Sequence, residues 1–380
     1  MKRKRIYWVD HDRFATKPDK ATWLEIANAL ELFGFHVNIL AYIGNRRDAN
    51  TYNGRIIPIP SIDVGYAFRI VLLINICIWL LRHANRKDII VLHPDALWIT
   101  PVLALFGRKN IHLDIRTVPV EINTLKRQID RLIFWKFPLR NFGRFVSGYS
   151  FITSRLKRVI EQQLKLEFKD YVLWQSGVNI SDFKPKPGRS KDVKSTFKVF
   201  YHGTISEKRG IGKVIEAIQL VNFAHKDMIE FVLVGDGPGR ANLARMAEQL
   251  GISHLVTFMG MMPYETIPDA INNADVCICP LPDREEWEIS SPIKVFEYLA
   301  CGKPIILTPI AAHTDIAGEY RSIVWTKGYS ADDFKEAIEY AYNNISNLGS
   351  AALGSINRID KLDWKTHGRN LADYLQDKFS

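Results

Sequence analysis

Short apolar runs alternate with longer stretches in which apolar residues recur every three or four positions, and this alternation repeats along almost the whole chain. Such runs read as buried strands and the stretches between them as helices, the pattern of α/β domains with parallel sheets. In the first half, "RIYWVD" (Arg5–Asp10) predicts a strand and "ATWLEIANALELFG" (Ala21–Gly34) a helix stopped by Gly34. "HVNILAY" and "RIIPIP" predict two more strands. An apolar helix follows over residues 66–82, then the strand "DIIVLH" (Asp88–His93), another helix, and the strand "NIHLDIR" (Asn110–Arg116). A basic, aromatic helical tract runs from Asn123 to Arg144. The stretch Ser181–Lys198 is rich in Pro, Ser and Lys and nearly devoid of apolar residues, so it predicts an interdomain linker. Beyond it, "KVFYHG", "FVLVGDG", "LVTFMG", "DVCICP" and "KPIILTP" predict strands separated by helices, and "LDWKTHGRNLADYLQDKF" a terminal amphipathic helix. The expected architecture is therefore two doubly wound parallel-sheet domains. Ligands of such sheets bind at the carboxyl ends of the strands, which directs attention to a cleft between the two domains.

Composition sharpens this picture in three respects. A length of 380 residues suits two domains, and a 47% hydrophobic share leaves enough apolar material for a core in each. Lys and Arg number 51 against 41 Asp and Glu, a net charge of +10 that favours anionic partners: nucleic acid, an acidic membrane face or phosphorylated substrates. The four cysteines form no C-x-x-C pair and read as small buried hydrophobes in a reducing compartment. The N-terminus "MKRKRIYWVDHD" begins basic, but its apolar part is too short for a signal peptide. The uncharged core Ile70–Leu81 is likewise too short to cross a bilayer.

Candidate chemistry gathers at the ends of predicted strands. "YHGTISEKRGIGKVIEAI" (Tyr201–Ile218) is a strand, a glycine-containing loop with Lys208, Arg209 and Lys213, and a helix start. Backbone N–H groups and cations there suit a diphosphate, although a solvated loop would look the same. "VLVGDGPGR" (Val232–Arg240) has neither the Walker nor the dinucleotide spacing, and its glycines make either a tight turn or a ligand contact. Gly203 and Gly235 are the candidate contacts in these two loops. In "SPIKVFEYLACGKPIIL", Glu297 lies three residues after Lys294. The pair reads as an intrahelical ion pair on a wet face, or as a carboxylate for two adjacent ligand hydroxyls beside an ammonium for phosphate. His93, Asp114 and Arg116 end first-half strands, where catalytic groups gather. Residues 124–145 interleave Lys126, Arg127, Arg131, Lys136, Arg140 and Arg144 with Trp135 and several Phe against the single acid Asp130. That mixture suits the interface of an anionic membrane. The helix around residues 70–81 reads better as buried against the sheet. No nucleic-acid motif is present in the sequence.

Taken in order, "SGVNISDFKP", "YHGTISEKRGIGKVIEAI", "VLVGDGPGR", "VTFMGMMPYETIPDAINNADVCICP", "SPIKVFEYLACGKPII" and "DWKTHGRNLADYL" resemble the retaining glycosyltransferases of family 4 over residues 171–380. The resemblance implies the GT-B fold, two Rossmann-like domains facing a cleft. Residues 1–185 would bind the acceptor, 186–363 the nucleotide sugar, and 364–380 would form a helix crossing back to the first domain. It implies Glu297 on the donor ribose, Arg209 and Lys208 on the diphosphate, and Ser290, Ser291 and Lys294 along the phosphates and sugar. Asp114 stands near the reacting centre, with Glu288 as a candidate for a second acid. Three positions depart from the family pattern: Ile289 where a glutamate is common, Thr204 where an arginine is common, and "VDHDRFATKPDKA" in place of a double glycine. The expected activity is metal-independent sugar transfer without a cofactor, by front-face displacement with leaving-group charge held by cations. The acceptor is expected to be a glycan or a lipid-linked intermediate, and the protein cytoplasmic and peripheral at the inner membrane face. The alternatives are a non-catalytic nucleotide-sugar-binding protein or a nucleotide-sugar epimerase of the same fold.

Overall fold

The computed structural model describes residues 3–14, 20–44, 55–62, 64–118, 125–186, 196–225 and 228–380. They divide into two units, Met1–Gln175 with Trp364–Ser380, and Ser176–Asp363.

In the first unit, β1 (Lys4–Arg13), α1 (Lys20–Leu32), β2 (Phe35–Tyr42), β3 (Ile56–Pro58) and α2 (Gly65–His83) are followed by β4 (Ile89–Leu92). A 3-10 turn, Pro94–Ile99, leads into α3 (Thr100–Leu105) and β5 (Ile111–Ile115). Then come α4 (Leu125–Arg131), α5 (Phe137–Phe142), β6 (Gly148–Phe151), α6 (Ser154–Leu164) and β7 (Tyr171–Leu173). The strands form one sheet, β3-β2-β1-β4-β5-β6-β7, with every pairing parallel. β4 and β5 are buried along their whole length, as strands covered on both faces must be. Strand order steps one way from β1 to β3 and the other way from β4 to β7, so right-handed crossovers put α1 on one face and α2, α3, α4 and α5 on the opposite one. Side chains of β1 follow this division. Ile6 and Trp8 share a core with Trp23 and Ile26 of α1 and with Leu371 and Leu375 of the terminal helix. Tyr7 meets Trp79 of α2 edge-on, ring centroids 5.3 Å apart. Gly368 lets the terminal helix lie against α1, since a Cβ there would sit 2.4 Å from that of Ala29.

The second unit runs β8 (Phe197–His202), α7 (Ile211–His225), β9 (Ile229–Val234), α8 (Arg240–Gln249), β10 (Val256–Gly260), α9 (Ile267–Asn272) and β11 (Val276–Cys279). It continues with α10 (Glu285–Glu288), α11 (Ile293–Ala300), β12 (Ile305–Leu307), α12 (Ala311–Ala317), β13 (Ile323–Trp325), α13 (Ala331–Asn343) and α14 (Ile345–Gly354). The terminal helix of the first unit is α15 (Trp364–Lys378). The second sheet, β10-β9-β8-β11-β12-β13, is also all parallel, with one hydrophobic cluster around α7 and α13 and another around α11 and α12. Both units are thus the doubly wound α/β layers expected from the sequence.

One expectation shifts. The division falls at Gln175–Ser176, ahead of the expected boundary at 185, because the chain already packs on the second unit there. Ser176 donates its N–H to Ser291 Oγ (3.1 Å) and its hydroxyl to the Ser291 carbonyl (2.9 Å), and Val178 and Phe183 are buried in the second unit's core. Residues 187–195 of the expected linker lie outside the described residues. The tract expected to be helical over 123–144 is α4 and α5 joined by a π turn, Leu132–Lys136; its residues 123 and 124 lie outside the described residues.

Candidate functional site

The carboxyl ends of β8 and β9 meet through glycine. Gly203 donates to the Val234 carbonyl (2.9 Å) and Ile205 to that of Asp236 (2.9 Å), so the two loops are joined backbone to backbone. Gly235 has φ +130°, and a Cβ there would lie 2.0 Å from the Gly203 carbonyl oxygen. The glycines of "VLVGDGPGR" are therefore required by loop-against-loop packing. In the same way Gly210 (φ +80°) lets the start of α7 approach Pro280, whose carbonyl would be 2.0 Å from a side-chain Cβ. The turn just before it carries Lys208, which is exposed, and Arg209, whose guanidinium lies over the Trp287 ring at 4.9 Å.

α11 delivers two charged groups to this region, both nearly sealed from water. Glu297 is 1% exposed. Its Oε1 accepts a hydrogen bond from the Tyr264 hydroxyl (2.9 Å), and its Oε2 lies 2.8 Å from His202 Nε2, within ion-pair distance of that ring when it is protonated. Lys294 is 7% exposed. Its ammonium donates to the Tyr201 hydroxyl (3.3 Å), sits 4.5 Å from that ring's centroid, and would be 3.1 Å from a Cβ on Gly203. Among the described residues no carboxylate forms an ion pair with it. The intrahelical Lys294–Glu297 pair considered from sequence is thus replaced by separate partners on β8 and after β10. A buried ammonium is ordinarily paired, because desolvation costs several kcal/mol.

Other expected site residues have local duties. Ser290 Oγ donates to the Trp287 carbonyl (2.7 Å), and Ser291 pins Ser176 as above. Glu288 accepts from the Ala311 N–H (2.8 Å) and so caps the start of α12. Asp114 is buried, its Oδ1 taking the Ser150 hydroxyl (2.6 Å) and the Trp174 indole N–H (2.9 Å), with His112 Nε2 2.8 Å from the same hydroxyl. Burial pushes His112 down to about 3, so this network holds a neutral imidazole. Trp135, expected at a membrane interface, is 1% exposed and faces the protein interior from the π turn. Arg131 binds Gln163, Lys136 is half-buried and Arg140 exposed; the side chains of Lys126 and Arg127 lie outside the described residues.

One cluster went unseen in the sequence. His11 Nε2 lies 2.9 Å from Asp95, and the His11 and His93 rings stack at 4.7 Å. β1 and β4 are neighbours where the strand order reverses, the place where open α/β sheets bind ligands. Applying that rule to "VDHD" and "LHPD" would have brought these residues together. Among the described residues this is the one group of three side chains with converging metal-ligand atoms, all within 4.8 Å.

Residues 182–349, which contain the Gly203–Gly235 loops, Lys294 and Glu297, match the family model "Glycosyl transferases group 1". This stretch is what the chain shares with the group 1 glycosyltransferases. An uncharacterized glycosyltransferase of Methanocaldococcus jannaschii is 22% identical over 186 residues, 47% of this chain and 45% of that protein. A GDP-mannose-dependent alpha-(1-6)-phosphatidylinositol monomannoside mannosyltransferase of Mycobacterium tuberculosis is 24% identical over 243 residues, 61% and 60% of the two chains. The matches thus span about half the length of these relatives. Among solved structures, Anabaena Alr3699/HepE in complex with UDP and glucose superposes with a TM-score of 0.76 at 15% identity, covering 98% of this chain and 99% of that one. The fold is GT-B. No helix is long and apolar enough to cross a membrane among the described residues.

Proposed function

We propose that the group 1 domain binds a nucleotide-diphosphate sugar and that the protein transfers the sugar, with retention, to a lipid-linked or polysaccharide acceptor at the cytoplasmic membrane surface. The observation that carries this reading is the buried Lys294 ammonium, without an anionic partner among the described residues, on the same helix as the buried Glu297 carboxylate. A diphosphate supplies the missing negative charge, and a ribose supplies two hydroxyl donors for the carboxylate. Arg209 and Lys208, from the turn after β8, add charge for the same phosphates. As the anomeric C–O bond breaks, its electron pair moves to the diphosphate, and these cations stabilise the developing charge. On the front face the departing phosphate oxygen takes the proton of the attacking hydroxyl. The cations do what a metal would do on the phosphates, so the reading invokes none. UDP and glucose in the Anabaena structure, and the lipid acceptor in the mycobacterial relative's name, support a nucleotide sugar and a membrane acceptor.

The test is thermal unfolding of the purified protein with UDP, GDP and ADP, for wild type and Glu297→Gln. One nucleotide is expected to raise the wild-type midpoint and to lose most of that effect in the variant. If none of the three shifts the wild type, the donor-site reading fails.

A further inference from the structure

The surface of the first unit is uneven in a way the sugar-transfer reading does not use. Of the twenty-three large hydrophobics exposed among the described residues, fourteen fall between Ile62 and Phe137. The overlapping stretch Gly65–Phe145 holds thirteen Lys and Arg against five Asp and Glu, so +8 of the chain's +10 lies there. Two of those five acids, Asp88 and Asp114, are buried, which leaves the surface still more basic. Topology gathers the helices of this stretch on one face of the sheet, since α2, α3, α4 and α5 all belong to the same side of the crossovers, and α2 packs against α3 and the turn before it.

The sequence alone favours a buried α2, yet this helix presents a ridge to solvent. Ile70, Ile74 and Ile78 are 50%, 52% and 41% exposed, one turn apart, and exposed Arg82 continues the row with no ion pair among the described residues. At the end of α3, Leu105 and Phe106 are 82% and 54% exposed. A hollow of about 450 Å³ opens beside Ile78, walled by Trp79 and Pro58–Pro60, with Arg82 among its lining residues. Apolar and cationic groups on one face are what an interfacial helix needs. A protein partner would have to match the +8 with its own acidic patch, whereas an anionic bilayer offers negative charge at every contact point.

We propose that α2, with the tip of α3, is the leading edge of a docking face for an anionic lipid bilayer. The isoleucine ridge enters the interface while Arg82 reaches back to lipid phosphates beside the hollow. This rests on the reading of a membrane-borne acceptor and goes beyond it by assigning the contact to α2 and α3 rather than to the Trp135 tract.

The experiment is co-sedimentation of the full chain with vesicles of phosphatidylcholine containing 30% phosphatidylglycerol, and with pure phosphatidylcholine, for wild type, Ile74→Glu/Ile78→Glu and Arg82→Glu. The ridge is exposed, so unchanged circular dichroism and melting midpoint certify folding of the variants. Wild type is expected to bind the anionic vesicles at least tenfold better than the neutral ones and to weaken with salt. The isoleucine variant should lose at least tenfold and Arg82→Glu severalfold. Undiminished binding by the isoleucine variant overturns the assignment to α2 while leaving a membrane-borne acceptor standing. Wild type that binds neither vesicle overturns both. Nucleotide stabilisation, measured on the same samples, reports on the donor site independently of either result.

Discussion

Replacing Lys294 with methionine separates what the ammonium does for the fold from what it does for a ligand. In the empty protein the change removes one long hydrogen bond, worth about 0.5 kcal/mol at the weak end of such bonds, and a desolvated cation–π contact of about 2 kcal/mol. It also removes a buried charge whose desolvation costs several kcal/mol, and methionine fills nearly the same space. The unliganded stability should therefore stay within about 1 kcal/mol of wild type or rise, a midpoint change of at most about 4 °C for a unit of this size. Binding should respond differently. At a nucleoside diphosphate concentration of about 100 Kd, wild type gains about 2.7 kcal/mol, or roughly 5–10 °C. Loss of a charge-assisted hydrogen bond, about 1.5–3 kcal/mol, weakens binding about 10–150-fold. The same concentration then stabilises the variant by only about 0.3–1.4 kcal/mol. Scanning calorimetry with and without the nucleotide that stabilises wild type measures both quantities. A variant that unfolds about 3 kcal/mol more easily when empty, or keeps the wild-type nucleotide shift, would refute the argument that this ammonium awaits an anion.

Three other perturbations have definite expected outcomes. Tyr264→Phe frees Glu297 Oε1 from its hydroxyl partner, so nucleotide affinity by calorimetric titration should rise about 10–150-fold, given that a hydrogen bond to a charged group is worth about 1.5–3 kcal/mol; unchanged or weaker binding would mean that the hydroxyl does not compete for this carboxylate. Gly235→Ala forces a side chain into φ +130° and against the Gly203 carbonyl, and should lower unfolding free energy by at least about 2 kcal/mol in a urea titration. Burial pushes His313 from its ordinary value near 6.5 down to about 4, so the unfolded chain takes a proton that the folded one refuses between those values. Stability present above pH 6.5 is lost as pH falls toward 4, and His313→Gln should flatten that fall by up to about 1.4 kcal/mol per pH unit in the same urea assay.

What could be read along the chain was local. Strand runs such as "DIIVLH" and "FVLVGDG" carry their own signal, because a strand covered on both faces is apolar throughout, and the alternation of runs and amphipathic stretches already implies parallel sheets. Glu297 drew attention because a carboxylate among apolar helix residues is anomalous. Its partners did not, since His202 and Tyr264 come from distant segments that only strand order brings near. The same limit hid His11 and Asp95, which meet across β1 and β4. For α2 the difficulty lay elsewhere. A helix apolar on every side has no polar stripe to mark its outer face, so periodicity could not show that Ile70, Ile74 and Ile78 point away from the core. Trp135 posed the complementary difficulty, since an aromatic among cations suits an interface, yet this one is buried within the π turn.

The return of α15 to the first unit has a consequence for how the molecule comes into being. The first unit is assembled from two segments separated by the whole of the second, and its core includes Leu371, Ala372 and Leu375 from the far segment. During synthesis, at about 5–20 residues per second, the continuous second unit can close as soon as Asp363 clears the ribosome. The first must hold an unfinished core, with Ala29 of α1 uncovered, until α15 arrives. The unit made first is thus the one completed last, and a chaperone that shields the inner face of α1 would have its substrate for the whole of that interval.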